Sequence, residues 1–264
     1  MAPEPTADKP QRIAKIMARA GLCSRREAER WVEEGRVSVD GKVLTSPAVA
    51  LSADARITVD GKPLQSAEKT RLWRYHKPAG LVTSTKDAQG RPTVFDKLPA
   101  ELPRVVTVGR LDLTSEGLLL LTNDGEVKRR LEQPATGWVR RYRVRVYGTV
   151  TDDSLAALAK GMTVDGIRYG PIQATLDSER GRNAWLTMGL REGKNREIRR
   201  VCEALGWTVS RLIRTAYGPF QLGSLARGAV EEVPARILAQ QIGGGGTKGW
   251  AKPAKSEGHA RRRR

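Results

Sequence analysis

Apolar positions change period several times along the chain. Ile13, Ile16, Met17 and Ala20 recur at helical spacing, with Arg12, Lys15 and Arg19 on the other sides and Gly21 placed to close the helix. Ser24 followed by Glu27 reads as a capping box for a second helix, which buries Ala28, Trp31 and Val32 and stops at Gly35. Arg36 to Leu44 then reads as strand, turned by Asp40-Gly41. The same Val-Asp-Gly-Lys words return from Val59 to Lys62, a second similar turn. Gln65 to Lys69 is polar and aperiodic, so residues 65–70 are assigned as a linker between an 11–64 module and a 71–240 domain.

Beyond Arg71 strand patterns dominate. Leu72 to His76 and Leu81 to Ser84 read as strands around a Lys77-Pro78-Ala79-Gly80 turn. Leu118 to Leu121 is an uninterrupted apolar run bounded by turn residues, the pattern of a strand buried on both faces. Asp124 can cap a helix over Glu126 to Glu132, ended by Pro134. Trp138 to Tyr147 alternates, placing Tyr142, Val144 and Val146 on one face and Arg141, Arg143 and Arg145 on the other. Thr151 to Gly161 reads as a helix, Asp177 to Asn183 as a polar turn, and Val209 to Tyr217 as a strand. Between them Gly193 breaks a strand, and Ile198, Val201, Cys202 and Leu205 form a helical apolar face. Lys194 precedes that face, and a cation near a helix N-terminus opposes the dipole, which implies a carboxylate or phosphate close by.

Composition narrows the chemistry. Across 264 residues the formal charge is +18, an excess suited to a polyanion such as RNA. No apolar run is long enough to span a bilayer, and the first residues lack a signal-peptide pattern, so a cytoplasmic location without membrane contact is expected. Cys23 and Cys202 stand far apart, and His76 and His259 are the only histidines. Neither a metal site nor a Ser-His-Asp hydrolase is built from these. Acid–base or nucleophilic work falls to carboxylates, lysines or tyrosines. Asp112, on a short loop before the leucine run, is such a carboxylate, and spacing alone leaves open a structural or a reactive role. Residues 1–10 and the glycine-, lysine- and arginine-rich 241–264 are expected to be disordered.

The run Gly109-Arg110-Leu111-Asp112, with Thr114, Gly117 to Leu120 and Thr122 to Gly125, resembles the active-site signature of the ribosomal RNA pseudouridine synthases. The similarity is to the group comprising small-subunit synthase A and large-subunit synthases B, E and F, with the B type favoured. Residues Arg12 to Leu64 resemble the S4 RNA-binding domain, notably in Ser24-Arg25-Arg26-Glu27-Ala28 and Gly35 to Gly41. The resemblance implies an α+β fold: an S4 module followed by a mixed, largely antiparallel sheet flanked by helices. It implies an isomerase that needs no cofactor or metal, acting as a monomer on ribosomal RNA, with the large-subunit (23S) RNA favoured over the small-subunit (16S) RNA. Asp112 takes the catalytic role. Tyr142 lies against the target base, Lys194 pairs with Asp112, Leu212 lines the pocket, and Arg110 fills the space of a flipped-out base. The Lys86 to Lys97 stretch would be a basic RNA-facing loop. Arg12, Arg19, Ser24, Arg25, Arg26 and Arg36 are the RNA contacts implied for the S4 module. Rival readings are a non-catalytic ribosome-assembly protein, against which the intact Asp112, Tyr142 and Lys194 set speaks, and a DNA-binding protein, for which no recognition-helix spacing is present.

Overall fold

The computed structural model describes residues 10–52 and 54–243. Helix α1 (Ile13–Arg19) and helix α2 (Arg25–Glu33) pack over strands β1 (Val37–Val39) and β2 (Ile57–Val59). Ile13, Ala14, Met17, Ala28, Val32, Val37 and Val59 close a core of their own. The capping box forms as expected: Glu27 N–H donates to Ser24 Oγ at 3.1 Å and Ser24 N–H to the Glu27 carboxylate at 2.8 Å. Both Asp-Gly turns take left-handed backbone at each central residue, with φ of 48° and 81° at Asp40-Gly41 and 49° and 74° at Asp60-Gly61. That is the hairpin turn such dipeptides favour. Residues 65–70 carry no secondary structure, yet they are stitched down, since Arg19 donates to the Glu68 carbonyl at 2.7 Å and Asn123 to the Lys69 carbonyl at 2.9 Å.

The remainder builds one large sheet. In chain order its parts are β3 (Leu72–Lys77), β4 (Val106–Val108), β5 (Glu116–Thr122), α3 (Gly125–Glu132), β6 (Arg140–Tyr147), α4 (Asp152–Lys160), β7 (Gln173–Arg180), β8 (Asn183–Leu190), α5 (Glu197–Ala204), β9 (Thr208–Tyr217), β10 (Val230–Glu232) and α6 (Ala235–Gly243). The strand order is β7-β8-β6-β9-β5-β3-β10, with β4 pairing β5. Every named pairing in this sheet is antiparallel except β9 with β5. This is the α+β architecture expected of the sequence.

At the parallel join, Gly117 (φ 102°) lets the two backbones approach so closely that a Cβ would stand 2.3 Å from the Arg214 carbonyl oxygen. All residues of β5 are buried, because both faces of the strand are covered. Two corrections to the local reading arise. Leu81 to Ser84 is not a strand and contributes only a single bridge, Val82 to Thr93. The expected 177–183 turn shrinks to Gly181-Arg182, with most of that stretch drawn into β7 by the pairing with β8. Among the described residues no helix is long and apolar enough to cross a membrane.

Candidate active site

The loop that ends β4 and begins β5 delivers Asp112 to a cavity of about 520 Å³. Tyr142 from β6, Leu190 from β8, Leu212 and Arg214 from β9, and residues 193–198 from the entry to α5 form the other walls. Asp112 is half-buried and Arg110, at the rim, is exposed. Leu212 is buried, and Tyr142 packs between two core clusters. Asp112, Tyr142, Lys194, Arg110 and Leu212 therefore all border one cavity, although they come from distant parts of the chain.

Lys77 holds the Asp112 loop from below. Its side chain is fully buried, and its Nζ faces the carbonyls of Pro78 (3.0 Å), Asp112 (3.2 Å), Leu113 (3.4 Å) and Ser115 (2.9 Å). Burial lowers its pKa to about 8, against the opposing pull of Asp112 and Glu116. The Thr83 hydroxyl accepts from Leu111 N–H at 3.4 Å and donates to the Leu111 carbonyl at 2.8 Å, fixing the other arm of the loop. Glu116 anchors its end in a two-toothed pair with Arg211 (2.8 and 3.1 Å), with Arg227 at 2.9 Å.

The expected Lys194–Asp112 pair does not form. Lys194 Nζ instead binds Glu192, donates to the Arg168 carbonyl at 2.9 Å and lies 5.8 Å from the centre of the Tyr169 ring. The carboxylate that the dipole argument called for is thus Glu192, two residues earlier. The cation whose charge does couple to Asp112 from this region is Arg199 in α5. Burial pushes its guanidinium down from its ordinary value, and Asp112 acts in the opposite direction. Arg199 donates to the Val209 carbonyl at 3.1 Å and the Thr114 carbonyl at 3.4 Å.

Arg214 is a second residue that the sequence did not single out. It is buried, its Nε donates to the Leu118 carbonyl at 2.7 Å, and its Nη2 has no protein partner. A buried guanidinium edge left open beside a cavity is suited to a substrate oxygen. Across the cavity Glu197 is buried; one carboxylate oxygen accepts from Lys194 N–H at 2.9 Å and the other has no protein partner. Burial, with the charge of the neighbouring Glu192, raises the Glu197 pKa to about 7.

In the S4 module Arg12, Arg25 and Arg26 are exposed and, among the described residues, have no carboxylate within 4.0 Å. The other three are occupied within the protein. Arg19 lies 3.2 Å from Asp124, Arg36 grips Asp60 at 2.9 and 2.6 Å, and Ser24 caps its own helix. Asp87 and Arg91 pair within the 86–97 loop, so part of its charge is also neutralised internally.

The cavity thus gathers carboxylates, an aromatic wall and the buried Arg214 guanidinium in one chain of two modules. Residues 71–204 match the family model for RNA pseudouridylate synthases, and residues 11–57 match the S4 domain. The chain belongs to the RNA pseudouridine synthase family. It is 46% identical over 228 residues to an "Uncharacterized RNA pseudouridine synthase" of Rickettsia felis, covering 86% of this chain and 99% of that protein. It is 42% identical over 230 residues to the "Ribosomal large subunit pseudouridine synthase B" of Yersinia pestis, covering 84% of this chain and 72% of the relative. A solved pseudouridylate synthase structure superposes with a TM-score of 0.63 at 25% identity, covering 88% of this chain and 99% of that one.

Proposed function

We propose that the chain isomerises a uridine of ribosomal RNA, in the large-subunit (23S) RNA, to pseudouridine, with Asp112 as the catalytic group. The large-subunit assignment is supported by the Yersinia pestis relative named for that activity. The observation that carries the Asp112 assignment is that its carboxylate stands half-buried at a cavity, on a loop pinned by the buried Lys77 ammonium.

The reaction breaks the N1–C1′ bond of uridine, turns the uracil and joins C5 to C1′. N1 gains a proton and C5 loses one, so the product is an isomer and no oxidant is consumed. The target nucleotide must leave its stack to reach Asp112. Tyr142 offers the aromatic wall against which uracil stacks, and Leu212 closes the pocket beside it. Asp112 works on the ribose, either attacking C1′ or removing the C2′ proton to give a glycal; both routes need it ionised and close to the sugar. Lys77 and Arg199, rather than Lys194, are the cations of the site whose charges interact with that of Asp112. The exposed Arg110 stands where it can enter the space vacated by the flipped base.

Asp112→Asn keeps the shape of the side chain and removes its basicity. Tritium release from RNA carrying 5-tritiated uridine is expected to vanish while RNA affinity stays within a few-fold. Turnover near the original rate would remove Asp112 from the mechanism. Mapping pseudouridines on both ribosomal RNAs with and without this protein tests the large-subunit assignment separately.

A further inference from the structure

The sheet has a second face that the reaction does not use. On one side of β6, Val144 and Val146 are buried with Leu158 of α4 and Ile198 and Val201 of α5, and Tyr142 opens from that side into the cavity. On the other side Arg143, Arg145 and Tyr147 are exposed. The register sets Arg145 opposite Trp185 and Tyr147 opposite Asn183 on β8. The Arg143 guanidinium lies 4.5 Å from the centre of the Trp185 ring, and Arg182, from the β7–β8 turn, lies 4.8 Å from that of Tyr147. Arg145 donates to the Asn183 side-chain carbonyl at 3.2 Å.

Among the described residues, none of Arg143, Arg145 and Arg182 has a carboxylate within 4.0 Å. The contrast with the adjoining Arg211 and Arg227 is informative, because Glu116 neutralises both. A guanidinium held over a ring has already given up much of its side-chain freedom and keeps N–H donors available. Nucleic-acid bases stack on such planes, and phosphates take the N–H edges. Two aromatic-backed guanidinia with a third between them, spread over ~10 Å of the sheet, match a few nucleotides of single strand. Asp177, on the neighbouring strand, accepts from the Thr187 hydroxyl at 2.9 Å and pairs with none of these guanidinia.

We propose that this face binds a single-stranded stretch of the substrate RNA, remote from the target uridine. The proposal rests on RNA being the substrate and not on which ribosomal RNA is modified. RNA that enters the Asp112 cavity on one side of the sheet would then be gripped on the other, with the S4 module as a third point of attachment.

The test uses the full chain and a labelled single-stranded uridine homopolymer, with anisotropy followed against salt. Arg143→Gln with Arg182→Gln is expected to weaken binding about 10-fold and to lower the slope of log affinity against log salt by about 1.4, at about 0.7 for each phosphate no longer neutralised. Unchanged affinity and slope would overturn the proposal. A readout that does not depend on any variant folding is photocrosslinking of the unaltered protein to a homopolymer containing 4-thiouridine. Crosslinks are expected at Trp185 or Tyr147, and their absence from both β6 and β8 would overturn the proposal. Asp112→Asn should crosslink equally, so failure here leaves the catalytic assignment untouched.

Discussion

Lys77 is fully buried, yet its ammonium meets backbone carbonyls rather than a carboxylate. Three N–H donors shared among these oxygens bind the start of the Asp112 loop to its end. Lys77→Met would leave the carbonyls without a donor in a dry place, a loss of roughly 3 kcal/mol or more. Denaturant melts should report that loss, and single-turnover rates on the folded fraction should fall as well. The pH dependence separates the two effects. The folded pKa, about 8, lies below the ordinary 10.5 of a free lysine, so between these values the unfolded chain holds more protons. The burial cost of Lys77 is therefore relieved as pH rises through that window, while the neutral amine grips the loop less well. Activity should decline above about pH 8 without a matching loss of stability, and Lys77→Met should lack that limb. Arg214 makes a different case, since its Nη2 is buried without a protein partner. If a substrate oxygen completes it, Arg214→Gln should lower kcat/KM by roughly 10- to 100-fold, the value of one charge-assisted hydrogen bond. An unchanged kcat/KM in a variant that melts normally would confine Arg214 to its bond with Leu118.

At the scale of elements, the entry to α5 holds a buried carboxyl group. Arg196 takes left-handed backbone (φ 51°) to start the helix, and Glu197, buried in the first turn, ties back to Lys194 N–H and feels the charge of Glu192. Because the folded Glu197 pKa of about 7 exceeds the ordinary 4.5, its contribution is fully present below about pH 4.5 and is lost as pH rises toward 7. Stability measured across that range should therefore fall, and Glu197→Gln, which cannot ionise, should flatten the decline; an identical profile would show that Glu197 does not titrate there. This segment also shows where the sequence stops being legible. Helical and strand periods, the Ser24 capping box, the Asp-Gly turns and the Leu118 to Leu121 strand are local signals, and all of these elements form. Leu81 to Ser84 has the composition of a strand but only a single bridge, because a strand needs a partner that its own residues do not specify. Lys77 reads as a turn residue in the sequence because its acceptor at Asp112 lies 35 residues further on. Lys194 does meet a carboxylate, as a cation at a helix start requires, but that carboxylate is Glu192 rather than Asp112.

At the scale of the molecule, the S4 module is fastened to the synthase domain rather than merely strung beside it. Arg19 binds Asp124, the Glu68 carbonyl and the Thr70 hydroxyl, while Lys15 pairs with Glu126 at 2.8 Å. Between the modules lies a cleft of about 800 Å³ that draws Lys15 and Arg25 from one side and Arg104, Lys128 and Arg129 from the other. Two kinds of change should therefore be distinguishable. Arg25 and Arg26 are exposed without carboxylate partners among the described residues, so their replacement by alanine removes charge and leaves the fastening intact. That pair should weaken binding of structured ribosomal RNA and lower its salt slope by about 1 to 2, because fewer phosphates are neutralised, with kcat at saturation unchanged. Arg19→Ala removes little RNA-facing charge and instead frees the module to rotate against the domain. Its salt slope should stay near that of the parent, while kcat/KM falls because two sites held in fixed relation lose part of their effective concentration for each other. Measuring salt slope and kcat/KM on one RNA for both variants decides the matter. If Arg19→Ala lowers the salt slope as the Arg25 and Arg26 pair does, Arg19 is an RNA contact after all and the fastening is incidental.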